Sequence, residues 1–194
     1  ISLFCNVEQE AVIEEQNVKH SIYELPLMLE ESGVRNLINR KLKLTSSQDF
    51  AEKFSRWKEL VHHLIYSQKT VEIGVVGKYV EFDDAYRSVY ESLIHGGISN
   101  KIRVQVRKIQ SDTLLDPEKE LANLDGVLVP GGFGKRGIEG ILTAIQYIRE
   151  NKIPFFGICL GMQCAVIEFA RNVLGFPLAN SVEFNAETPH PVIS

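Results

Sequence analysis

From residue 71 onward, short apolar runs alternate with segments in which apolar residues recur every three or four positions. The first pattern is typical of buried strands and the second of amphipathic helices. Their alternation predicts an α/β fold, with a mainly parallel sheet and helices on both faces. The predicted strands are 71–80, 101–109, 126–130 and 154–158. The predicted apolar helix stripes are Tyr86, Val89, Tyr90, Leu93 and Ile94; Ile138, Ile141, Leu142, Ile145 and Ile148; and Met162, Ala165, Val166, Phe169, Val173 and Leu174.

The residues before this region follow another pattern. Ile1–Val7 is an apolar run that predicts a buried strand, and residues 22–42 are mainly helical with a break at Gly33. Helix-capping residues at 45–49 then precede an amphipathic helix. Its apolar face is formed by Phe50, Phe54, Trp57, Val61 and Leu64.

Three further expectations concern where elements begin and end. Asp83 and Asp84 are expected to cap the helix that follows them, and His95 to end it. Pro191–Ser194 resembles the start of another strand. Since the chain also begins without Met inside an apolar run, both ends are expected to be cuts through a longer protein.

Composition and charge narrow the class of partner. The 194 residues are 44% hydrophobic and 24% charged, with a net charge of −4 at pH 7. This balance gives no reason to expect nucleic acid or an anionic membrane as a partner. No apolar run approaches the roughly 20 residues of a membrane helix. Cys5, Cys159 and Cys164 have neither metal-ligand nor disulfide spacing, which favours the cytoplasm and predicts no metal site.

The segment Pro154–Gln163 carries the strongest candidate chemistry. Gly157 and Gly161 flank Cys159 in a G-x-C-x-G pattern, the thiol counterpart of a nucleophile elbow. The glycines leave room for a sharp strand-to-helix turn, and the helix start favours a thiolate. The sequence therefore predicts that Cys159 is a nucleophile, whereas Cys5 and Cys164 are predicted to be packing residues.

A glycine loop, Pro130–Gly134, follows the preceding predicted strand. If the two strands are neighbours, the amides of Gly132 and Leu160 are placed to hold an oxyanion. Gly132, Gly134 and Gly137 also spell the dinucleotide fingerprint G-x-G-x-x-G. However, the next strand ends without the carboxylate that would bind a ribose. A phosphate-binding P-loop is excluded because Arg136 stands where Ser or Thr is required.

A nucleophilic cysteine needs a base, and the sequence offers no obvious one. The chain has five histidines, and none follows a predicted strand at the edge of the sheet that holds Cys159. They are His20, His62, His63, His95 and His190.

These motifs together resemble the class I glutamine amidotransferases, and within them the CTP synthase family. The resemblance spans nearly the whole chain. It rests on Gly157–Gln163 and Pro130–Gly137, on Ile1–Val7, Ser21–Tyr23 and Val76–Tyr79, and on Ala179–Phe184.

The resemblance implies a role for each candidate residue. Cys159 attacks the amide of L-glutamine, and Gly132 and Leu160 donate to the oxyanion. Leu160, Gly161, Met162, Gln163 and Glu183 line the glutamine pocket, with Glu183 facing the α-ammonium. Phe133 and Arg136 lie where the effector GTP acts, and Val18 lies near the adenine of ATP. The family's His-x-Glu pair, which completes its triad, has no match before Ser194.

The resemblance also implies domains and partners. Residues 1–44 correspond to the end of the synthetase domain, 45–70 to an interdomain linker helix, and 71–194 to an incomplete amidotransferase domain. The whole enzyme converts UTP to CTP with ATP, Mg²⁺ and glutamine-derived ammonia, and assembles as tetramers or filaments. The fragment itself is expected to bind no cofactor and to be nearly inactive alone. Two alternatives remain: a catalytically silent binding or assembly domain, and another cysteine hydrolase with the same elbow.

Overall fold

The fold is given by a computed structural model, which describes residues 1–14, 17–45 and 47–194. The chain divides into two units, Ile1–Ser67 and Gln68–Ser194. Each unit is described by itself.

The first unit is helical. Its α-helices are α1 (Ser2–Cys5), α2 (Leu25–Glu31), α3 (Val34–Leu42) and α4 (Phe50–Tyr66), and 3₁₀ turns lie at Gln9–Ala11 and Ile22–Glu24. Gly33 separates α2 from α3 with a φ of 78°, which confirms the predicted break. The apolar stripe of α4 packs within the unit: Trp57 Nε1 donates to Tyr23 O at 2.9 Å, and the Arg35 guanidinium lies over the Phe50 ring.

The strand predicted for Ile1–Val7 is wrong. Ser2–Cys5 forms one helical turn, which Asn6 ends in the left-handed conformation, and Phe4 is 93% exposed. An apolar run indicates burial but cannot by itself distinguish helix from strand. Part of the predicted cap at 45–49 falls on Ser46, outside the described residues. Asp49 occupies the N-cap of α4 without a side-chain bond to the helix amides.

The second unit contains a parallel sheet, which confirms the predicted fold class. Its strand order is β2-β1-β3-β4, with β1 next to both β2 and β3. The chain crosses from β1 to β2 on one side and returns to β3 and β4 on the other, so the usual right-handed crossover predicts helices on both faces of the sheet. In chain order the elements are β1 (Thr70–Gly77), α5 (Arg87–Ser99), β2 (Arg103–Gln110), α6 (Pro117–Leu121), β3 (Gly126–Val129), α7 (Ile138–Glu150), β4 (Phe155–Gly157), α8 (Leu160–Asn172), β5 (Ala179–Ser181) and β6 (His190–Ile193). The last two strands form a separate parallel pair, and a 3₁₀ turn lies at Ser111–Thr113.

Both boundary predictions for α5 are wrong. Asp83 and Asp84 do not cap it, since Asp83 pairs with Lys108 of β2 and Asp84 with Arg87. The helix also runs past His95. The carbonyl oxygens of Gly96 and Gly97 accept hydrogen bonds that close its last turn. The Gly97 oxygen accepts the amide of Ile102 at 2.9 Å.

The core lies between the sheet and α7. The predicted stripe of α7 is buried throughout, whereas the buried face of α8 is not the predicted one. Cys164, Ile167 and Ala170 are buried, while Val166 and Phe169 are 37% and 46% exposed. Because α8 is apolar on more than one side, periodicity could not identify the face that packs.

Glu168 and Arg149 join α8 to α7 through charge. The Glu168 side chain is only 1% exposed, and it accepts two hydrogen bonds from Arg149 Nε and one from Arg149 Nη2 at 2.8 Å. Asn172 donates to the same carboxylate at 3.0 Å. The buried charge is therefore paired and hydrogen-bonded, as burial requires.

Gly140 of α7 allows a close approach that can be tested. A Cβ at this position would lie 1.9 Å from the main-chain oxygen of Ser111, whereas a Cβ at Gly96 of α5 would meet nothing within 4 Å. We expect Gly140→Ala to lower the free energy of unfolding by about 1–3 kcal/mol through overpacking. We expect Gly96→Ala, a matched helical substitution, to raise it by about 0.5–1 kcal/mol. Urea unfolding of the intact protein measures both, and equal midpoints for the two variants would contradict the packing at Gly140.

Candidate active site

Cys159 lies between the end of β4 and the start of α8, as the elbow pattern predicts. Its φ is 51° and its ψ is −103°, and its side chain is exposed. Few residues other than glycine adopt a positive φ, and the surrounding packing must hold such a residue in place. The predicted strand, turn and helix are all present.

The two flanking glycines are required by close backbone contacts. A Cβ on Gly157 would lie 2.6 Å from the main-chain nitrogen of Met162, and a Cβ on Gly161 would lie 2.2 Å from the oxygen of Val129. Either side chain would push the first turn of α8 away from the sheet. The glycines therefore permit the turn that exposes the Cys159 sulfur.

The glycine loop after β3 passes beside this elbow. β3 and β4 are neighbours, with Val129 opposite Gly157, and the Ile158 amide donates to Val129 O at 2.9 Å. A Cβ on Gly131 would lie 3.8 Å from Cys159 Cβ, and one on Gly132 would lie 3.0 Å from Leu160 Cδ2. The two segments that the sequence singled out thus meet at one edge of the sheet.

The first turn of α8 supplies amide groups at the same edge. The Gly161 and Gln163 amides donate to the main-chain oxygens of the two residues before the helix, at 2.9 and 3.0 Å, and the helix dipole adds positive potential at this end. Leu160 begins the helix with its side chain buried in the core, and Gly161 is also buried. Met162 is half exposed and Gln163 is half buried.

The three cysteines differ in accessibility. Cys164 is completely buried, and burial raises the pKa of its thiol to about 12, so that it stays protonated at neutral pH. Cys159 and Cys5 are exposed, but Cys5 belongs to the first unit. Among the described residues, no side-chain hydrogen bond reaches Cys159.

His190 is one of the five histidines considered as a base for Cys159. It lies in β6, with its ring 4.9 Å from that of Phe176.

Glu183 follows β5 on an exposed turn. Its amide donates to Ser181 Oγ at 3.2 Å, and the next residue, Phe184, is anchored in the core. Burial lowers the pKa of Lys78, and the Glu183 carboxylate is a minor influence in the opposite sense. The turn is therefore fixed on both sides, and the carboxylate remains accessible.

The loop residues after Gly132 differ in their contacts. Phe133 is 82% exposed. Arg136 is tied to its surroundings: it pairs with Asp112, donates from Nη2 to Lys78 O at 2.9 Å and lies over the Tyr79 ring. Arg136 is therefore a partner of the sheet edge and not simply a solvated loop charge.

Sequence reasoning missed Lys78, which follows β1 directly. It is only 2% exposed and donates from Nζ to the main-chain oxygens of Phe133, at 3.1 Å, and of Gly134. The signal in the sequence was a lysine directly after the apolar end of β1, Val75–Gly77. The strand order reverses between β1 and β3, next to this lysine. In parallel sheets this position is where ligands bind.

Val18 lies half-buried in the first unit, in a different unit from the other candidates. Within residues 1–14, 17–45 and 47–194, no group of three or more His, Cys, Asp or Glu side chains is placed to hold a metal ion. In the same residues, no helix is both long and apolar enough to span a bilayer.

Comparison with known proteins gives two family matches. The model described as "Glutamine amidotransferase class-I" matches residues 81–192, and that described as "CTP synthase N-terminus" matches residues 1–44. The family resemblance inferred from the sequence motifs is therefore confirmed.

Individual relatives with high sequence identity are CTP synthases. The CTP synthase of Oleidesulfovibrio alaskensis is 53% identical over 195 residues, and that of Methanocaldococcus jannaschii is 49% identical over 201 residues. Each match covers 100% of this chain, which spans only 35% and 36% of the respective relatives.

A solved structure, the glutaminase domain of Trypanosoma brucei CTPS with bound acivicin, is 45% identical with a TM-score of 0.59. That match covers 63% of this chain and 48% of the solved one. Since the amidotransferase model alone matches more than half of the chain, and the structure has the parallel sheet and cysteine elbow described above, this chain belongs to the class I glutamine amidotransferases.

Proposed function

We propose that this chain is the glutamine-hydrolysing part of a CTP synthase, which supplies ammonia for the amination of UTP to CTP. The observation that carries the proposal is the meeting of the exposed Cys159 elbow with the Gly131–Gly132 loop. Its two sides offer a nucleophile and main-chain donors, which acyl transfer from an amide requires. The similarity to CTP synthases over the whole chain supports glutamine as the amide.

In the proposed reaction, the Cys159 thiolate attacks the side-chain amide carbon of glutamine. A carbon–sulfur bond forms while the carbonyl electron pair moves onto oxygen. The tetrahedral intermediate then collapses, its carbon–nitrogen bond breaks, and the nitrogen leaves as ammonia after taking up a proton. Water attacks the resulting thioester, which releases glutamate and restores the thiol.

The amides of Gly132 and Leu160 are the proposed donors to the oxygen that becomes negative. Main-chain donors held in place before the reaction stabilise charge that develops only in the transition state. The anchoring of Leu160 in the core and the contact between Gly132 and Leu160 support such a fixed arrangement. The thiol proton is proposed to pass to the family's His-x-Glu pair, which the resemblance assigns to sequence after Ser194.

The glutamine pocket is proposed to lie over the first turn of α8, at Leu160 to Gln163, with Glu183 opposite. A carboxylate on an exposed but anchored turn suits the α-ammonium of an amino acid, since charge-assisted hydrogen bonds are about twice as strong as neutral ones.

The remaining assignments concern the whole enzyme. Residues 1–44 are proposed as the end of the synthetase domain, 45–70 as the linker helix and 71–194 as part of the amidotransferase domain. GTP is proposed to act near Phe133 and Arg136, and the adenine of ATP to lie near Val18. Mg²⁺ and ATP are proposed to be needed for the amination of UTP and not for glutamine hydrolysis. The whole enzyme is proposed to be a cytoplasmic homotetramer that can form filaments.

Cys159 is tested by substitution and labelling in the intact protein. We expect Cys159→Ala to lower glutamine hydrolysis by at least about a thousandfold, because the covalent step is lost. We expect Cys5→Ser, which replaces the other exposed thiol, to leave the rate within about twofold. A glutamine-derived chloroketone should alkylate Cys159 selectively, as located by mass spectrometry. Labelling of Cys5 or Cys164 instead would refute the proposal.

Glu183 is tested through substrate binding. We expect Glu183→Gln to raise KM for glutamine about 10- to 100-fold with little change in kcat. This corresponds to losing a hydrogen bond to a charged group worth about 1.5–3 kcal/mol in both ground and transition states. Glu187→Gln, at an exposed carboxylate of the same β5–β6 connection, is the matched control. Similar KM values for the two variants would remove Glu183 from the pocket.

A further inference from the structure

The glycine loop Gly131–Gly134 needs an anchor, because three of its four residues are glycine. Glycine has the widest conformational freedom of any residue, so the direction of each amide is not fixed by the chain alone. Donors to an oxyanion act only when they are held in place before the reaction. The contacts of the loop show what holds it.

Lys78 provides these contacts from the end of β1. Its Nζ donates to the main-chain oxygens of both Phe133 and Gly134. The two peptide groups that follow Phe133 are thereby turned toward Lys78. Its aliphatic stem lies against the same loop, since a Cβ on Gly132 would be 3.7 Å from Lys78 Cδ and 3.0 Å from Leu160 Cδ2. Gly132 therefore lies between the lysine stem and the first residue of α8.

Lys78 is itself held rigidly. Its main-chain oxygen accepts hydrogen bonds from Gln110 Nε2 at 3.1 Å and from Arg136 Nη2 at 2.9 Å, and Arg136 also pairs with Asp112. The ends of β1 and β2 are thus joined to the loop after β3. A lysine that is 2% exposed, with its ammonium directed at main-chain oxygens, is not an ordinary surface charge.

We propose that Lys78 is a positioning residue for glutamine hydrolysis, which fixes the glycine loop so that the Gly132 amide stays directed at the reacting oxygen beside Cys159. This inference rests on the proposed function. Lys78 acts through the loop and not on the substrate, so its loss should affect the transition state more than glutamine binding.

Lys78→Met in the intact enzyme tests this role, because methionine keeps much of the stem but removes the donors. We expect kcat for glutamate release from glutamine to fall about 10- to 100-fold. This fall is no larger than the fall in kcat, about 100- to 1000-fold, that follows removal of a whole oxyanion donor. We expect KM to change by less than about threefold. The rate of Cys159 alkylation by iodoacetamide should stay within about twofold, because displacement of iodide forms no oxyanion. Lys69→Met, at an exposed lysine of the same unit, is the matched control.

The outcomes separate the possibilities. An unchanged kcat in Lys78→Met overturns the inference, and so does a fall in kcat matched by an equal fall in the iodoacetamide rate, which would mean a general disturbance of the elbow. If Lys78→Met does not fold, Lys78→Gln decides, because its amide is a shorter donor that cannot bond both loop oxygens as Nζ does: a lower kcat at unchanged KM supports the role, and unchanged kinetics refute it. Absence of glutamine hydrolysis in the wild-type enzyme would instead refute the proposed function.

Discussion

The candidate site depends on how closely the first turn of α8 approaches the end of β3. One atom, the oxygen of Val129, accepts the amide of Ile158 and also lies where a side chain on residue 161 would have to be. The approach orients the start of α8 toward the loop that continues β3. Cys159 is exposed by the same turn, so the exposed thiol and the loop share one structural cause. A shift of either strand end would separate them, and positioning at this scale matters greatly for reaction rates.

Local patterns were enough to predict most of this arrangement. The alternation of strands and helices after residue 71 predicted the parallel sheet, and the glycines around Cys159 predicted the elbow. The meeting of the elbow with Gly132 followed from one further rule, that the carboxyl ends of parallel strands lie at one edge of the sheet. Each of these predictions depends on residues close in sequence or on general properties of sheets. The chemical roles assigned to Cys159 and Glu183 remain proposals.

What could not be predicted depends on partners distant in sequence. Lys78 follows an apolar strand, but neither its neighbours nor those of Glu168 show which groups pair with the buried charge, because the partners lie 55 and 19 residues away. The same reason explains the errors. Ile1–Val7 is apolar, but its conformation depends on what it packs against. The apolar residues of α8 occupy more than one face, and only the position of the sheet decides that Ile167 is buried and Phe169 is not.

The backbone of Cys159 has a consequence for the stability of the whole fold. A φ of 51° with a ψ of −103° is unfavourable for any residue with a Cβ, by about 1–3 kcal/mol. Glycine would adopt the same angles with less strain but would carry no sulfur. The fold therefore holds a residue in an unfavourable backbone conformation at the elbow, between Gly157 and Gly161, where the backbone contacts are closest to the sheet. Exposure of the thiol and stability of the fold therefore oppose each other at this residue.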